Sequence, residues 1–308
     1  MSTLPNIRPA TAARVLAEAM PYLREYHGKV LVVRFGGRAM TDPALMNAFA
    51  RDVALLRLSG MKLIVVHGGG WRVDEQMRKM GLTPRREGGF RVTDAETLNV
   101  VEMALDELNQ ELTGLINRHG GRAIGINGQD GRFIHARRMT GPGGADLGFI
   151  GEPASIDVEL VNLLLSREFV PVVMPIGVGE DGTAYHINSD LLASRLAREL
   201  HAEKLVLMTN VAGIAGDDGR TVWILRVREA QALLRERRVD AEMAPRVEAA
   251  LDAVRDGVRS VHIIDGGVPD ALLLEVLTAD GVGTAIRSDA TPDFLEDSRA
   301  YLLATGKT

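Results

Sequence analysis

Apolar positions recur at helical spacing over residues 11–29, TAARVLAEAMPYLREYHGK, and the pattern closes at Gly28. The next six residues, VLVVRF at 30–35, form a continuous apolar run, as expected of a parallel strand covered on both faces. An amphipathic helix follows over 42–60, closed by Gly60, and a second buried strand, KLIVVH at 62–67, runs into a glycine triplet. A long helical stretch covers 94–119. The apolar runs RAIGI (122–126), FVPVVMPIG (169–177) and KLVLMT (204–209) continue the series. A helix at about 244–257 precedes RSVHIIDG at 259–266. Strands thus alternate with helices, which predicts an α/β fold with a mainly parallel sheet. Residues 128–157 are rich in glycine and turn formers and break the alternation, so a small β-excursion is expected there. There is no internal repeat and no long linker. Ligands of such sheets sit beyond the carboxyl ends of the strands. RFGGR at 34–38 and HGGGW at 67–71 occupy two such ends.

The length of 308 residues accommodates one large or two ordinary domains, and 46% hydrophobic with 25% charged residues is a globular balance. A net charge of −5 argues against a nucleic-acid partner. No apolar run approaches the roughly 20 residues that a membrane helix needs. The first twenty residues lack the long apolar core of a secretory signal. Without cysteine there are no disulfides and no thiolate metal sites, and a cytoplasmic location is expected.

Gly36-Gly37 and Gly68-Gly69-Gly70 let backbone N–H groups approach an anion, and each loop precedes a predicted helix whose N-terminus adds positive potential. One glycine pair after a strand reads as a tight turn; two on neighbouring strands point to a shared phosphate site. Neither is a Walker loop or a good G-x-G-x-x-G match. Arg34 stands at the strand end where a lysine would be expected to meet phosphates. In GGFRVTDAETLNVVEMAL, 88–105, Thr93 or Asp94 can cap the helix, with Glu96 near the capping-box position. Arg91, just outside it, is either a surface arginine or a bidentate grip on a carboxylate. Asp190, in YHINSDLLASRLAREL, is either an N-cap or an organiser of cations around a transferring phosphoryl group. Arg246, near the start of another helix, reads locally as a solvated charge. The seven histidines show no metal-ligand spacing. His67 and His262 fall at predicted strand ends and read as packed or hydrogen-bonded. No protein-held metal site and no G-x-S-x-G nucleophile motif is expected.

Taken together these stretches resemble the amino-acid kinase superfamily and, within it, the acetylglutamate kinases. The resemblance spans about residues 12–287 and is carried by HGGG (67–70), GFRVTDAETLNVVEMAL (89–105), PIGVGEDG (175–182), AEKLVLMTNVAGI (202–214) and HIIDGGVPDALLLEVLTADGVGTAI (262–286). It implies an open αβα sandwich of two lobes, with a substrate lobe at 29–200, a nucleotide lobe at 201–308 and an oligomerisation helix at 1–28. It also implies phosphorylation of the side-chain carboxylate of N-acetylglutamate, or a related N-acylated acidic amino acid, by ATP with Mg²⁺ carried on the nucleotide. By resemblance Gly36, Gly37, Gly69 and Gly70 cradle phosphates; Arg91, His186 and Asn188 bind substrate; Asp190 organises the catalytic cations. Thr209, Asn210 and Met243 belong to the nucleotide lobe. The N-terminal helix and Tyr22 resemble those of arginine-inhibited hexameric members, and His262, Glu275, Gly281 and Gly283 match the segment that binds arginine there. A hexamer or a dimer is expected.

Several positions depart from the family pattern. Arg34 and Arg246 replace the two catalytic lysines, and His186 replaces the first asparagine of NxNxD. Glu242 replaces a glycine before Met243, Trp71 a proline, Asn210 an aspartate, and Asn127 a serine or threonine. Arginine keeps the charge but not the compact ammonium of lysine. These changes collect at ligand positions while the apolar framework is intact. The rival expectation is therefore a catalytically impaired relative that binds ligands or regulates a partner.

Overall fold

In the computed structural model, residues 8–216, 218–240, 243–278 and 281–289 are described. The chain begins with α1 (Pro9–Tyr26), β1 (Val30–Phe35), α2 (Pro43–Leu58), β2 (Lys62–His67) and α3 (Gly70–Lys79). A short hairpin of β3 (Arg86–Glu87) and β4 (Phe90–Arg91) leads into α4 (Ala95–Arg118) and β5 (Ala123–Asn127). Then come β6 (Ile134–Thr140), β7 (Asp146–Ile156), α5 (Glu159–Ser166), β8 (Val170–Met174), β9 (Ile176–Val178), β10 (Ala184–Ile187) and α6 (Ser189–Glu199). The remainder is β11 (Lys204–Thr209), β12 (Ile224–Arg226), α7 (Val227–Arg235), α8 (Ala244–Arg255), β13 (Ser260–Asp265), α9 (Ala271–Leu277) and β14 (Gly283–Arg287).

Eight strands form one sheet in the order β12-β14-β13-β11-β1-β2-β8-β5. Every neighbouring pair is parallel except β13 with β14. The period-two pleat sends alternate side chains of β1 into separate cores. Leu31, Val33 and Phe35 pack with α2, α4 and α9, and Val32 packs with α6 and α8 on the other face. This is the αβα sandwich, and burial on both faces is why these strands read as unbroken apolar runs. Arg34 is in phase with Val32 and therefore emerges on the α6 side of the sheet.

Local chemistry sets the helix starts. Asp42 caps α2 through the Ala44 and Leu45 amides, ahead of a proline at the first position. Of the two cap candidates for α4, Asp94 does the capping, accepting from the Thr97 amide at 2.9 Å. The Thr93 hydroxyl donates instead to the Arg91 carbonyl. At α6 the cap is Asn188, which accepts from the Asp190 and Leu191 amides. Asp190 is thus not an N-cap; it lies in the first turn with its carboxylate available for other partners. The expected β-excursion is larger than residues 128–157. Strands β6 and β7 close with β9 and β10 into a four-stranded barrel, and an isolated bridge from Thr93 to Gly148 ties it to the start of α4.

Candidate active site

The central feature lies where β1, β2 and β11 end and α6 and α8 begin. Arg34 pairs in register with Val66 of β2 and Leu207 of β11, so the sheet fixes its backbone on both sides. Its Nε sits 3.2 Å from Ser189 Oγ and 2.8 Å from Asp190 Oδ1, and Nη1 donates to the Met208 carbonyl at 3.0 Å. Arg246, in the first turn of α8, approaches the other oxygen, Oδ2, with its Nε at 3.4 Å. Two guanidiniums therefore bracket one largely buried carboxylate. Burial pulls the Arg34 pKa below its ordinary value, Asp190 opposes this, and Arg246 adds to it. The local reading of Arg246 as a solvated charge gives way to this ion pair.

The glycine turns meet this cluster directly. A Cβ on Gly36 would lie 1.9 Å from Arg34 Nη1, and one on Gly68 would lie 3.4 Å from Nη2 and 3.5 Å from Ser189 Oγ. Gly37 has φ +73, and a Cβ there would strike Asn210 Oδ1 at 2.5 Å. Asn210 Oδ1 accepts from the Arg38 amide, which ties the turn after β1 to the end of β11. Gly69, at φ +157, caps α3 with Gly70 as its first residue. The sequence-predicted residues Arg34, Gly36, Gly37, Gly69, Gly70, Asp190 and Arg246 thus gather around the ends of three adjacent strands. Two cations against one carboxylate, beside glycine turns, suit a polyanion.

Arg91 is not on the surface: it is 4% exposed. Its Nη1 pairs with Asp74 and contacts Met77 Sδ, and its Nη2 donates to the Gly70 carbonyl at 3.1 Å. Burial would raise Asp74, but the Arg91 hydrogen bond and charge outweigh it and leave the carboxyl below its usual range. His186, on β10, has its Nδ1 buried and without a hydrogen-bond partner among the described residues. Burial, helped by the Arg91 charge, pushes it down to about 4. Thr209 is fixed by its hydroxyl to the Val211 and Ile264 carbonyls, and Met243 is buried in the core under α8. Asn127 makes a turn through the Gln129 amide, and Trp71, second residue of α3, lies under the Arg72 guanidinium at 4.7 Å. Glu242 lies outside the described residues.

A second polar cluster lies across the sheet's other half. His262 is mid-strand in β13 rather than at a strand end, because its run extends to Asp265. Its Nδ1 bonds Glu275, and its Nε2 meets Ser260 Oγ at 2.9 Å and Lys204 Nζ at 3.4 Å. Glu275 Oε2 accepts from the Val282 amide at 2.7 Å. Gly281, at φ +56, leaves room for that carboxylate, since a Cβ would stand 2.9 Å from Oε2. A Cβ on Gly283 would meet the Ile263 carbonyl at 2.1 Å. Burial would raise Glu275, but the His262 hydrogen bond and charge, the Val282 amide and Lys204 hold it below its usual value. Tyr22, partly buried on α1, packs against the α2/α9 core. Sequence reading missed Lys204, which is buried and pushed down to about 8 by desolvation, with its ammonium 4.9 Å over the Tyr26 ring. The available signal was a lone lysine opening an apolar strand. Ser189, Asp74 and Asn109 were also missed, because only tertiary contact gives them partners.

The buried histidines set a pH dependence. His67, like His186, is held down to about 4, by burial and by the Arg34 charge against an opposing hydrogen bond to Gly68. Both are neutral when folded and take up protons on unfolding below their ordinary value of 6.5. Their stabilisation is complete above that value and is lost as pH falls toward 4. Asp52 acts oppositely: burial and then Asp270 raise it to about 7, so its contribution is lost as pH rises through 7. His262 is likewise held down to about 4, chiefly by burial, and three histidines outweigh the one carboxyl over this range, so the urea midpoint is expected to fall steadily from about pH 6.5 to about pH 4.5. A flat midpoint at constant m over that range would contradict this.

The model of the amino acid kinase family matches residues 29–265. The chain belongs to that family. It is 51% identical over 284 residues to the acetylglutamate kinase of Chromobacterium violaceum, covering 91% of this chain and 98% of that one, and so stands among the acetylglutamate kinases. N-acetylglutamate synthase from Neisseria gonorrhoeae, solved with coenzyme A and N-acetyl-glutamate, superposes with a TM-score of 0.82 at 26% identity, covering 96% of this chain and 70% of that one. The same synthase solved with coenzyme A and L-arginine gives 0.79 at 25% identity, with 95% and 70% covered.

Proposed function

We propose that this protein transfers the γ-phosphoryl group of ATP to the side-chain carboxylate of N-acetyl-L-glutamate. The observation that carries the reading is Asp190 held between Arg34 and Arg246 beside two glycine turns; the 51% identity to an acetylglutamate kinase supports it. The acceptor needs no general base, since a carboxylate of reference pKa ~4.3 is already ionised at neutral pH. What is left is alignment and neutralisation of charge. In this reading the amides around Gly36, Gly37, Gly69 and Gly70 receive the phosphates. Arg34 and Arg246 offset the charge on the group in flight, and Asp190 aims both guanidiniums. Arg91 and the unpartnered His186 Nδ1 receive the amino acid, together with the Asn188 amide NH₂ that capping leaves over. Thr209, Asn210 and Met243 belong with a nucleotide lobe beginning near residue 201, against a substrate lobe at 29–200. Mg²⁺ would arrive on the nucleotide, as phosphoryl donors carry it. When bound it would offset negative charge on the phosphates.

The test is ADP release with hydroxylamine trapping of the acyl phosphate. A hydroxamate is expected only when MgATP and N-acetylglutamate are both present. Nucleotide binding without hydroxamate, for this and related N-acyl acids, would sink the kinase reading in favour of a ligand-binding regulator.

We also infer self-association through α1 and an arginine site at the Lys204–His262–Glu275 cluster. The L-arginine bound by the structurally similar synthase supports the second. Val15, Leu16 and Met20 on α1 are 59%, 68% and 51% exposed, an apolar stripe suited to a second copy of the chain. Leu16→Glu is expected to convert the largest species seen by light scattering to a smaller one, and an unchanged mass would remove α1 from the interface. No helix among the described residues is long and apolar enough to cross a membrane.

A further inference from the structure

His67 ends β2 with no exposed surface, and Asn109 of α4 is buried beside it. Asn109 Nδ2 lies 2.9 Å from the Val172 carbonyl and 3.1 Å from His67 Nε2. An amide nitrogen carries two hydrogens and accepts nothing. One hydrogen serves the carbonyl of β8, and the other must meet a lone pair on Nε2. The imidazole proton is therefore on Nδ1, which lies 2.7 Å from the Gly68 carbonyl and donates to it. A single tautomer satisfies every contact, and an imidazolium would set two donors against each other at Nε2.

The consequence falls on the glycine turn. In a trans peptide the C=O and the following N–H point in opposite directions. Holding the Gly68 oxygen against His67 therefore turns the Gly69 N–H away from His67. The Gly68 amide is itself fixed to the Phe35 carbonyl at 2.9 Å. Among the described residues the Gly69 amide makes no hydrogen bond. A Cβ on Gly68 would stand 3.4 Å from Arg34 Nη2, while one on Gly69 would strike the Leu105 side chain at 2.5 Å. The turn is thus pressed between α4 and the Arg34 guanidinium.

We propose that His67 and Asn109 are a positioning pair for phosphoryl transfer, locking the Gly68–Gly69 peptide so that its N–H donates to the nucleotide's phosphates and its oxygen cannot. Neither side chain touches substrate; both act through the turn. The inference rests on the kinase reading for what the amide binds, but not for the hydrogen-bond chain itself. The low His67 pKa, about 4, keeps the ring neutral at working pH.

Two measurements on the full-length protein separate these claims. Long-range ¹H–¹⁵N spectra of histidine-labelled protein, with the His67 signals assigned by their loss in His67→Asn, are expected to show the Nδ1–H tautomer, unchanged from pH 8 to 5.5. The Nε2–H tautomer, or titration near 6.5, overturns the pairing whether or not the protein turns over. In kinetics, His67→Phe keeps the ring's bulk and removes both bonds. It is expected to lower kcat by about tenfold to a hundredfold, the scale of a misplacement near 1 Å. KM for N-acetylglutamate should stay within about threefold, since uniform substrate binding is untouched. His67→Asn, whose Nδ2 can replace the Nδ1 donor, is expected to recover most of the rate. Equal losses in the two variants would overturn the positioning role. Absence of turnover in the wild-type protein would defeat the kinase reading alone, leaving the spectra to decide the pair.

Discussion

Replacing Asp190 with Asn is expected to lower kcat by about a hundredfold to a thousandfold, the scale seen when a preorganised electrostatic group is removed. The reason lies in what the carboxylate holds. Arg34 Nε and Arg246 Nε approach different oxygens of the same group, at 2.8 and 3.4 Å. With the charge gone, two guanidiniums face each other across a neutral amide that can accept from only one of them, and their mutual repulsion turns them out of line. Breaking a mostly buried pair also destabilises by about 3–5 kcal/mol. The side chains of Arg34 and Asp190 are 11% and 14% exposed, so most of that cost is expected to appear in the urea midpoint. The kinetic effect separates from the stability effect if kcat is measured at a temperature where circular dichroism shows the variant folded. A folded Asp190→Asn variant within tenfold of wild-type kcat would remove Asp190 from the catalytic group.

The second large effect is expected at Arg34. Arg34→Ala removes the cation nearest the Gly36 turn and strands Asp190 with one partner fewer, and a loss of about a hundredfold or more in kcat/KM for ATP is expected. Arg34→Lys is the informative companion. The guanidinium divides its work: Nε faces Ser189 and Asp190, and Nη1 reaches the Met208 carbonyl. An ammonium is one point and cannot span these positions together. It would restore charge and vacate the space over Gly36, so a rate between those of Arg34→Ala and wild type is expected, about tenfold below the latter. A lysine variant as slow as alanine would mean that the fork itself is required. One faster than wild type would mean that the arginine obstructs the phosphate path. Adding Arg246→Lys tests whether the two cations act as a unit, through the departure of the double variant from the product of the single effects.

Much of this protein is determined by its sequence alone. Unbroken apolar runs such as VLVVRF and KLVLMT can be stable only when covered on both faces, which forces parallel strands between helical layers. Strand-then-glycine order at 34–37 and 67–70 puts two turns at neighbouring strand ends, and the pleat alone decides that Arg34 faces opposite to Val33 and Phe35. What the sequence left open was partnership. Asp190 and Asn188 are equally good caps by type, and only the path of α6 assigned the cap to Asn188 and turned Asp190 toward two arginines 156 and 56 positions away in the chain. Arg91 and Arg246 read as solvated charges until folding brought Asp74 and Asp190 to them. The tautomer of His67 depended on an asparagine 42 residues later. Periodicity records which face a residue buries, because burial is a property of its own element. Ion pairs and hydrogen bonds across elements depend on where another segment lies, and that is decided only when the layers close.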